Sequence, residues 1–138
     1  MKSKLVSLLF FVLALIAAPA IAREPVPVID LPNNAVATNS GKTVTAEQVK
    51  QAILTAAASK GWTVAQQPDR QLVATILVRN KHTVVVDIAY SAESYSIVYK
   101  DSINMKFGVV DGSKVIHPYY NRWTQALKEA IRIELLKL

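Results

Sequence analysis

The sequence predicts an α+β fold, in which an antiparallel β-meander of about four strands carries two helices on one face, in the order α-β-β-β-β-α. Two segments repeat apolar residues at helical spacing, one after residue 45 and one at the carboxyl end of the chain. Between them lie runs whose side chains alternate between two faces, separated by turn-forming residues. Because both helices are one-sided and the sheet has a strongly apolar face, packing the helices over that face buries all three surfaces.

The chain opens with a predicted signal peptide, residues 1–22. Two lysines precede an uncharged apolar run over residues 5–18, and Ala20-Ile21-Ala22 supplies the small side chains that a signal peptidase accepts. The alternative is an uncleaved anchor, because the apolar stretch approaches the roughly 20 residues that span a bilayer. Pro19 and the small residues after it favour cleavage. We therefore expect cleavage after Ala22 and a periplasmic protein with no membrane span.

Removal of this segment leaves a mildly basic protein. The chain has 16 basic and 10 acidic residues, and 14 basic residues remain without the two leading lysines, for a net charge of +4. These basic residues form no run of the kind that nucleic-acid binding requires, so we expect no nucleic-acid partner. The sequence has no cysteine, which excludes a disulfide framework, a thiol nucleophile and a lipid-modified amino-terminal cysteine.

After the signal peptide we predict an extended leader, residues 23–42, and a single α+β domain, residues 43–138. The leader is rich in proline and asparagine and shows neither helical nor alternating periodicity. Within this extended leader, residues 26–31 could add one edge strand to the sheet.

The domain begins with a helix predicted over residues 45–60. Thr45 and Gln48 have the spacing of a capping box, in which each side chain bonds to the backbone of the other residue. Gly61 suits the left-handed position that ends a helix.

Four strands are predicted next, over residues 62–66, 70–79, 81–90 and 95–100. The apolar residues of the second and third strands lie on the same face of the sheet only if the loop between these strands has an odd number of residues. The three residues Asn80-Lys81-His82 meet this condition. A four-residue loop over residues 91–94 keeps Tyr90 and Tyr95 on one face. Residues 101–112 are predicted to form a short irregular strand and a turn, since glycines interrupt their alternation.

The last helix is predicted to open at Pro118, whose missing N–H would be unpaired at that position anyway, and to run to the carboxyl terminus. Its apolar residues recur at helical spacing and form one stripe: Tyr120, Trp123, Leu127, Ile131 and Leu135.

The densest group of interaction-prone residue types surrounds the start of this helix. Backbone donors at the helix amino terminus, Arg122 and the nearby aromatic faces could hold an anionic or carbohydrate ligand. The alternative is structural: Tyr120 and Trp123 anchor the core, while His117 and Asn121 satisfy the helix start. The candidate ligand-binding residues are Asp101, Ser102, Asn104, His117, Tyr119, Asn121 and Arg122.

No residue set predicts catalysis, a metal site or a cofactor. A hydrolase using Ser102, His117 and Asp101 can be drawn, but two adjacent residues would rarely both reach one imidazole in the required order. Zinc needs three or four ligands, whereas the chain offers two widely separated histidines and no cysteine. We therefore expect no catalytic residue, no metal and no cofactor.

The second face of the predicted sheet is more apolar than contact with solvent requires. Such a patch indicates a partner protein or a homodimer contact. The alternative is that the leader folds over this face. The residues concerned are Val73, Thr75, Leu77, Val85 and Ala89.

Three segments carry a family resemblance: Gly61-Trp62, residues 95–102 (YSIVYKDS) and residues 116–123 (IHPYYNRW). With them the chain resembles a group of small uncharacterised exported proteins and lipoproteins of Gram-negative bacteria. The likeness covers most of the mature domain and implies no activity. Some members of that group are lipidated on a cysteine that this sequence lacks, so we expect a form that is free in the periplasm.

These observations predict a non-catalytic binding or interaction module of the cell envelope, located in the periplasm. Its partner is expected to be an envelope protein or an anionic envelope component. The alternative is a small periplasmic hydrolase that uses His117.

Overall fold

The computed structural model of the protein describes residues 23–138, so the predicted signal peptide lies outside the described residues. The described chain is α+β, with two helices and two antiparallel sheets. Its elements are β1 (Val26–Pro27), β2 (Leu31–Ala35), α1 (Ala46–Ser59), β3 (Trp62–Gln67), β4 (Gln71–Val78), β5 (His82–Tyr90), β6 (Ser94–Ile103), β7 (Gly108–Val110), β8 (Ser113–Ile116) and α2 (Tyr119–Leu136).

The larger sheet has five strands in the order β2-β6-β5-β4-β3. Four of them, β3 to β6, are consecutive in the chain and form the predicted meander. The fifth strand, β2, comes from the leader and pairs antiparallel with the outer edge of β6. The prediction of about four strands therefore lacked β2, because a segment with no alternating pattern and a proline gives no strand signal.

The smaller sheet has the order β1-β8-β7 and contains the rest of the leader. The region predicted as an irregular strand and turn supplies the end of β6, the buried Met105 and the β7–β8 hairpin. Asp111 and Gly112 join the two hairpin strands with φ values of 49° and 78°. Positive φ at two central residues matches the twist of the strands, and glycine takes it at no steric cost.

Helix α1 begins and ends as its sequence predicts. The Thr45 hydroxyl accepts from the Gln48 N–H at 3.1 Å, and the Gln48 side chain accepts from the Thr45 N–H at 2.9 Å. Gly61 follows the helix with a φ of 83°. Helix α2 begins one residue after the predicted Pro118, which acts as its cap.

A single core joins the buried stripes of both helices to one face of the larger sheet. Ile53 of α1, Leu127 of α2 and Val86 of β5 are all fully buried in it. The alternating pattern of the strands fixes which residues enter this core, since successive side chains of a strand point to opposite faces.

The β4–β5 hairpin has the predicted parity but lies one residue earlier in the chain. Val78 pairs with His82 and Ile76 with Val84, so Arg79-Asn80-Lys81 forms the three-residue loop. Arg79 and Asn80 take the left-handed conformation, with φ values of 55° and 53°. The turn position predicted for His82 was wrong, and this histidine is instead the first residue of β5.

Candidate functional site

The two histidines, which the sequence separates widely, lie together in the fold. His82 opens β5 and His117 lies between β8 and α2, with ring centroids 6.2 Å apart. The Nδ1 of His82 donates to the carbonyl oxygen of Asn104 at 2.8 Å, since a carbonyl can only accept. The Nδ1 of His117 accepts from the Tyr119 N–H at 3.0 Å. The neutral rings therefore hold their protons on opposite nitrogens, and neither Nε2 takes part in these bonds.

The environment of His117 disfavours its charged form. Burial lowers the pKa of this imidazole, and the positive charges of Lys106 and Arg23, with His82, lower it further. A negatively charged group brought to this place would act in the opposite direction and favour protonation.

The ring of Tyr119 is the centre of a group of aromatic and cationic side chains. Its centroid lies 4.4 Å from that of His117 and 5.7 Å from that of Trp123, one turn along α2. The guanidinium carbons of Arg23 and Arg122 lie 4.7 Å and 5.4 Å from the same centroid. Both distances are within the range of cation–π contacts.

A cavity of about 180 Å³ opens beside these rings. None of the residues that line it is acidic: Val78, Arg79, His82, Tyr119, Arg122 and Trp123. We name the whole group the histidine–arginine patch and define it as Arg23, Arg79, His82, Lys106, His117, Tyr119, Arg122 and Trp123. A basic, aromatic-walled cavity of this size suits one anionic end group of a larger molecule, since whole drug-sized ligands occupy roughly 300–1,000 Å³.

In the part of the chain that the structure describes, no cation of the patch forms an ion pair. The ion pairs within residues 23–138 all lie elsewhere, and an example is Arg132 with Glu129 on the exposed side of α2. A larger hollow of about 400 Å³ lies between the leader and the β5–β6 loop. Its lining has no aromatic or histidine side chain, and its only charged residues are Lys42 and Glu93, which have opposite signs. The smaller cavity, with its grouped cations and aromatic walls, is therefore the better candidate for a binding site.

Three of the predicted ligand-binding residues, His117, Tyr119 and Arg122, belong to the patch. A fourth, Asn104, borders it through the carbonyl oxygen that holds His82. Its side chain instead donates to the carbonyl of Lys81 at 3.1 Å and ties the hairpin loop to the end of β6. The role of Asn104 is therefore to position His82.

Asn121 lies outside the patch and holds the leader in place. Its side-chain oxygen accepts from the Ile29 N–H at 3.1 Å, and its amide donates to the Pro27 carbonyl at 3.0 Å. The structural role foreseen for His117 is present, since it caps the N–H of Tyr119, but Asn121 acts on a distant segment and not on the helix start.

A β-bulge at Lys100 determines the faces on which Asp101 and Ser102 lie. Val86 pairs with Tyr99 and Val85 with Asp101, which leaves Lys100 as an extra residue in β6. Asp101 therefore shares the outer face of the sheet with Val85. Ser102 shares the core face, where its hydroxyl bonds to the phenol of Tyr99 at 2.8 Å. The two side chains point to opposite faces, so the drawn arrangement with His117 finds no support here.

Sequence reasoning did not assign Arg23, Arg79, His82, Lys106 or Trp123 to the ligand site. Trp123 was expected in the core, and it packs against the core while remaining partly exposed to the cavity. The sequence offered one signal for these residues: the basic segment Arg79-Asn80-Lys81 is followed directly by a histidine. The predicted hairpin already placed that segment at the turn between two strands of the meander. Its approach to the start of α2 depends on long-range packing that no local pattern reveals.

The outer face of the larger sheet stays uncovered by the leader, which runs along β6, β8 and α2. Leu77 and Ile103 flank Thr83 in one row of this face and are 56% and 61% exposed. Asp87 and Lys100 form an ion pair of 3.4 Å on it. The alternative in which the leader covers this face is therefore wrong, and the homodimer contact stays a prediction.

Searches against models of protein families, curated protein sequences and solved structures found no match. Within residues 23–138 no helix is both long and apolar enough to cross a membrane. In the same part of the chain, no third histidine, cysteine or carboxylate joins the two histidines in a group that could hold a metal ion.

Proposed function

We propose that this protein is a non-catalytic periplasmic binding module of the cell envelope that holds an anionic group in the histidine–arginine patch. The observation that carries the proposal is the cavity lined by Arg79, Arg122 and His82 with two aromatic walls and no acidic residue. Guanidinium groups suit oxyanions because their planar N–H donors match the geometry of phosphate and carboxylate oxygens. The aromatic walls of Tyr119 and Trp123 suit a ring attached to that group.

The position of the patch adds to this electrostatic preference. It surrounds the amino terminus of α2, where the helix dipole places positive partial charge. An envelope component with a phosphate or carboxylate end group would meet both features at once.

Titration with inorganic phosphate and phenyl phosphate, followed by calorimetry, tests the proposal. We expect Arg122→Gln to weaken phenyl phosphate binding about tenfold, because a charge-assisted hydrogen bond contributes about 1.5 kcal/mol or more. Arg132→Gln is the matched control, since it makes the same change on the same helix at an exposed ion pair. No binding by the unaltered protein, or equal losses in both variants, would show that the patch is not an anion site.

The same titration distinguishes the hydrolase alternative. Release of phenol from phenyl phosphate, abolished by His117→Gln, would establish hydrolysis. Binding without turnover is the result expected of a binding module.

A further inference from the structure

The backbone of Arg23, and not only its long side chain, lies at the histidine–arginine patch. Its carbonyl oxygen accepts from the Nζ of Lys106 at 3.4 Å, while its guanidinium lies 4.7 Å from the ring centroid of Tyr119. The predicted cleavage after Ala22 would make Arg23 the first residue of the mature chain. The new amino terminus would then lie at the patch.

Short-range contacts fix this position. Val26 pairs with Ile116, the residue before His117, and Pro27 is held by the side chain of Asn121. Only Glu24 and Pro25 separate Arg23 from the paired Val26, and even a fully extended chain covers only about 3.5 Å per residue. The backbone of Arg23 therefore stays within about 10 Å of Val26.

We propose that the amino group released by cleavage after Ala22 is a functional cation of the histidine–arginine patch, so that export processing completes the binding site. In the cleavage, water adds across the Ala22–Arg23 amide, which leaves a carboxylate on Ala22 and an amino group on Arg23. An α-amino group has a pKa of about 7.7–8.0 in ordinary surroundings, and a bound anion favours its protonated form. This inference rests on the anion-binding function proposed above.

The added charge also narrows the class of ligand. The ammonium joins Arg23, Lys106 and Arg122 in one place, and the nearest carboxylate in the sequence belongs to the exposed Glu24. Repulsion among these cations falls most when two negative charges enter together. The patch therefore favours a phosphate monoester dianion over a monocarboxylate, whether the phosphate is free or is the end group of an envelope molecule.

The test begins with the full chain expressed in a bacterium that exports it, and with the mass of the exported form. A mass corresponding to residues 23–138 with a free amino group is expected, and any other amino terminus would overturn the inference. The α-amino group can then be modified selectively near pH 6.5, because lysine side chains titrate near pH 10.4. Acetylation removes its charge, and reductive dimethylation retains the charge as the matched control.

We expect acetylation to weaken phenyl phosphate binding about fivefold and dimethylation to leave it nearly unchanged, since a cation within about 8 Å of a dianion has an effect of this order. We also expect acetylation to weaken benzoate binding less than phenyl phosphate binding. Equal affinity of the acetylated and unmodified proteins would overturn the inference. The two proposals fail separately: loss of binding in Arg122→Gln with no effect of acetylation rejects only the role of the amino terminus.

Discussion

Replacement of Asn121 by alanine removes the two hydrogen bonds that hold the leader against α2. The Asn121 side chain accepts from the Ile29 N–H and donates to the Pro27 carbonyl. Each such bond contributes about 1 kcal/mol net, while alanine regains about 0.5 kcal/mol through its higher helix propensity. We therefore expect the free energy of unfolding to fall by about 1.5 kcal/mol.

Urea unfolding followed by circular dichroism measures this change. Asn39→Ala is the matched control, because Asn39 is exposed and only its backbone is hydrogen-bonded within the described chain, so a change within about 0.5 kcal/mol is expected. Amide hydrogen exchange gives a local readout, since the Ile29 N–H loses its acceptor in the Asn121 variant and should exchange faster. An unchanged urea midpoint together with unchanged exchange at Ile29 would refute this account of the leader.

Three further predictions concern the fold and the patch. Thr45→Ala breaks the capping box and should lower the free energy of unfolding in urea by about 1 kcal/mol, whereas Thr43→Ala, at an exposed residue before the helix, should leave it unchanged. Leu127→Ala empties a fully buried site and should cost about 2–5 kcal/mol, whereas Leu77→Ala, at a site that is 56% exposed, should cost under about 0.5 kcal/mol; similar losses would contradict the assigned faces. Because the pKa of His117 is lowered from 6.5 in the folded protein, stability should be fully present above pH 6.5 and decline as the pH falls below it. Urea titrations at several pH values should show a shallower decline for His117→Asn, and an identical decline would contradict the assignment.

The face to which each strand of the meander turns its apolar residues could be predicted because one face of the sheet is buried. A shift of one residue would turn every apolar side chain of a strand to the other face, so the alternating pattern restricts each loop to one parity. Tyr90 lies opposite Tyr95, as the four-residue loop predicts. Ile76 lies opposite Val84, where the predicted loop would have placed Val78, so the parity is as predicted while the pairing differs by two residues. The remaining error, a loop displaced by one residue at Arg79-Asn80-Lys81, concerns turn conformation, which parity does not determine.

The bulge at Lys100 could not be predicted from the sequence. It determines on which face of the sheet Asp101 and Ser102 lie, and therefore which side chains they can contact. An unbroken alternation from Tyr95 would have kept odd-numbered residues on the core face and turned Ser102 outward. The extra residue reverses the faces of Asp101 and Ser102. Nothing in their local sequence distinguishes this bulge from regular strand, because the ladder geometry that accommodates it comes from β5.

The patch combines segments that are distant in the chain, and for this reason the sequence predicted only part of it. His117, Tyr119 and Arg122 are close neighbours at one helix start, and composition alone identified them. His82 and Arg79 come from a hairpin end, and the contact between that hairpin and α2 exists only in the packed fold. The structural interpretation of the helix start holds for His117, which accepts from the Tyr119 N–H, while the ligand-binding interpretation stays a prediction.

A purely structural role explains His117, which caps Tyr119, but it does not explain the charges around it. Arg79 and Arg122 are exposed and form no ion pair within residues 23–138, and grouped cations without a carboxylate repel one another, although water and salt weaken this repulsion. A bound anion reverses that cost, because a ligand that binds only the folded state stabilises it by about 2.7 kcal/mol at a hundred times its dissociation constant. Phenyl phosphate should therefore raise the melting temperature of the unaltered protein and raise that of Arg122→Gln much less. Relief of the repulsion should make Arg122→Gln more stable than the parent without ligand, so the refuting result is that phenyl phosphate stabilises neither protein.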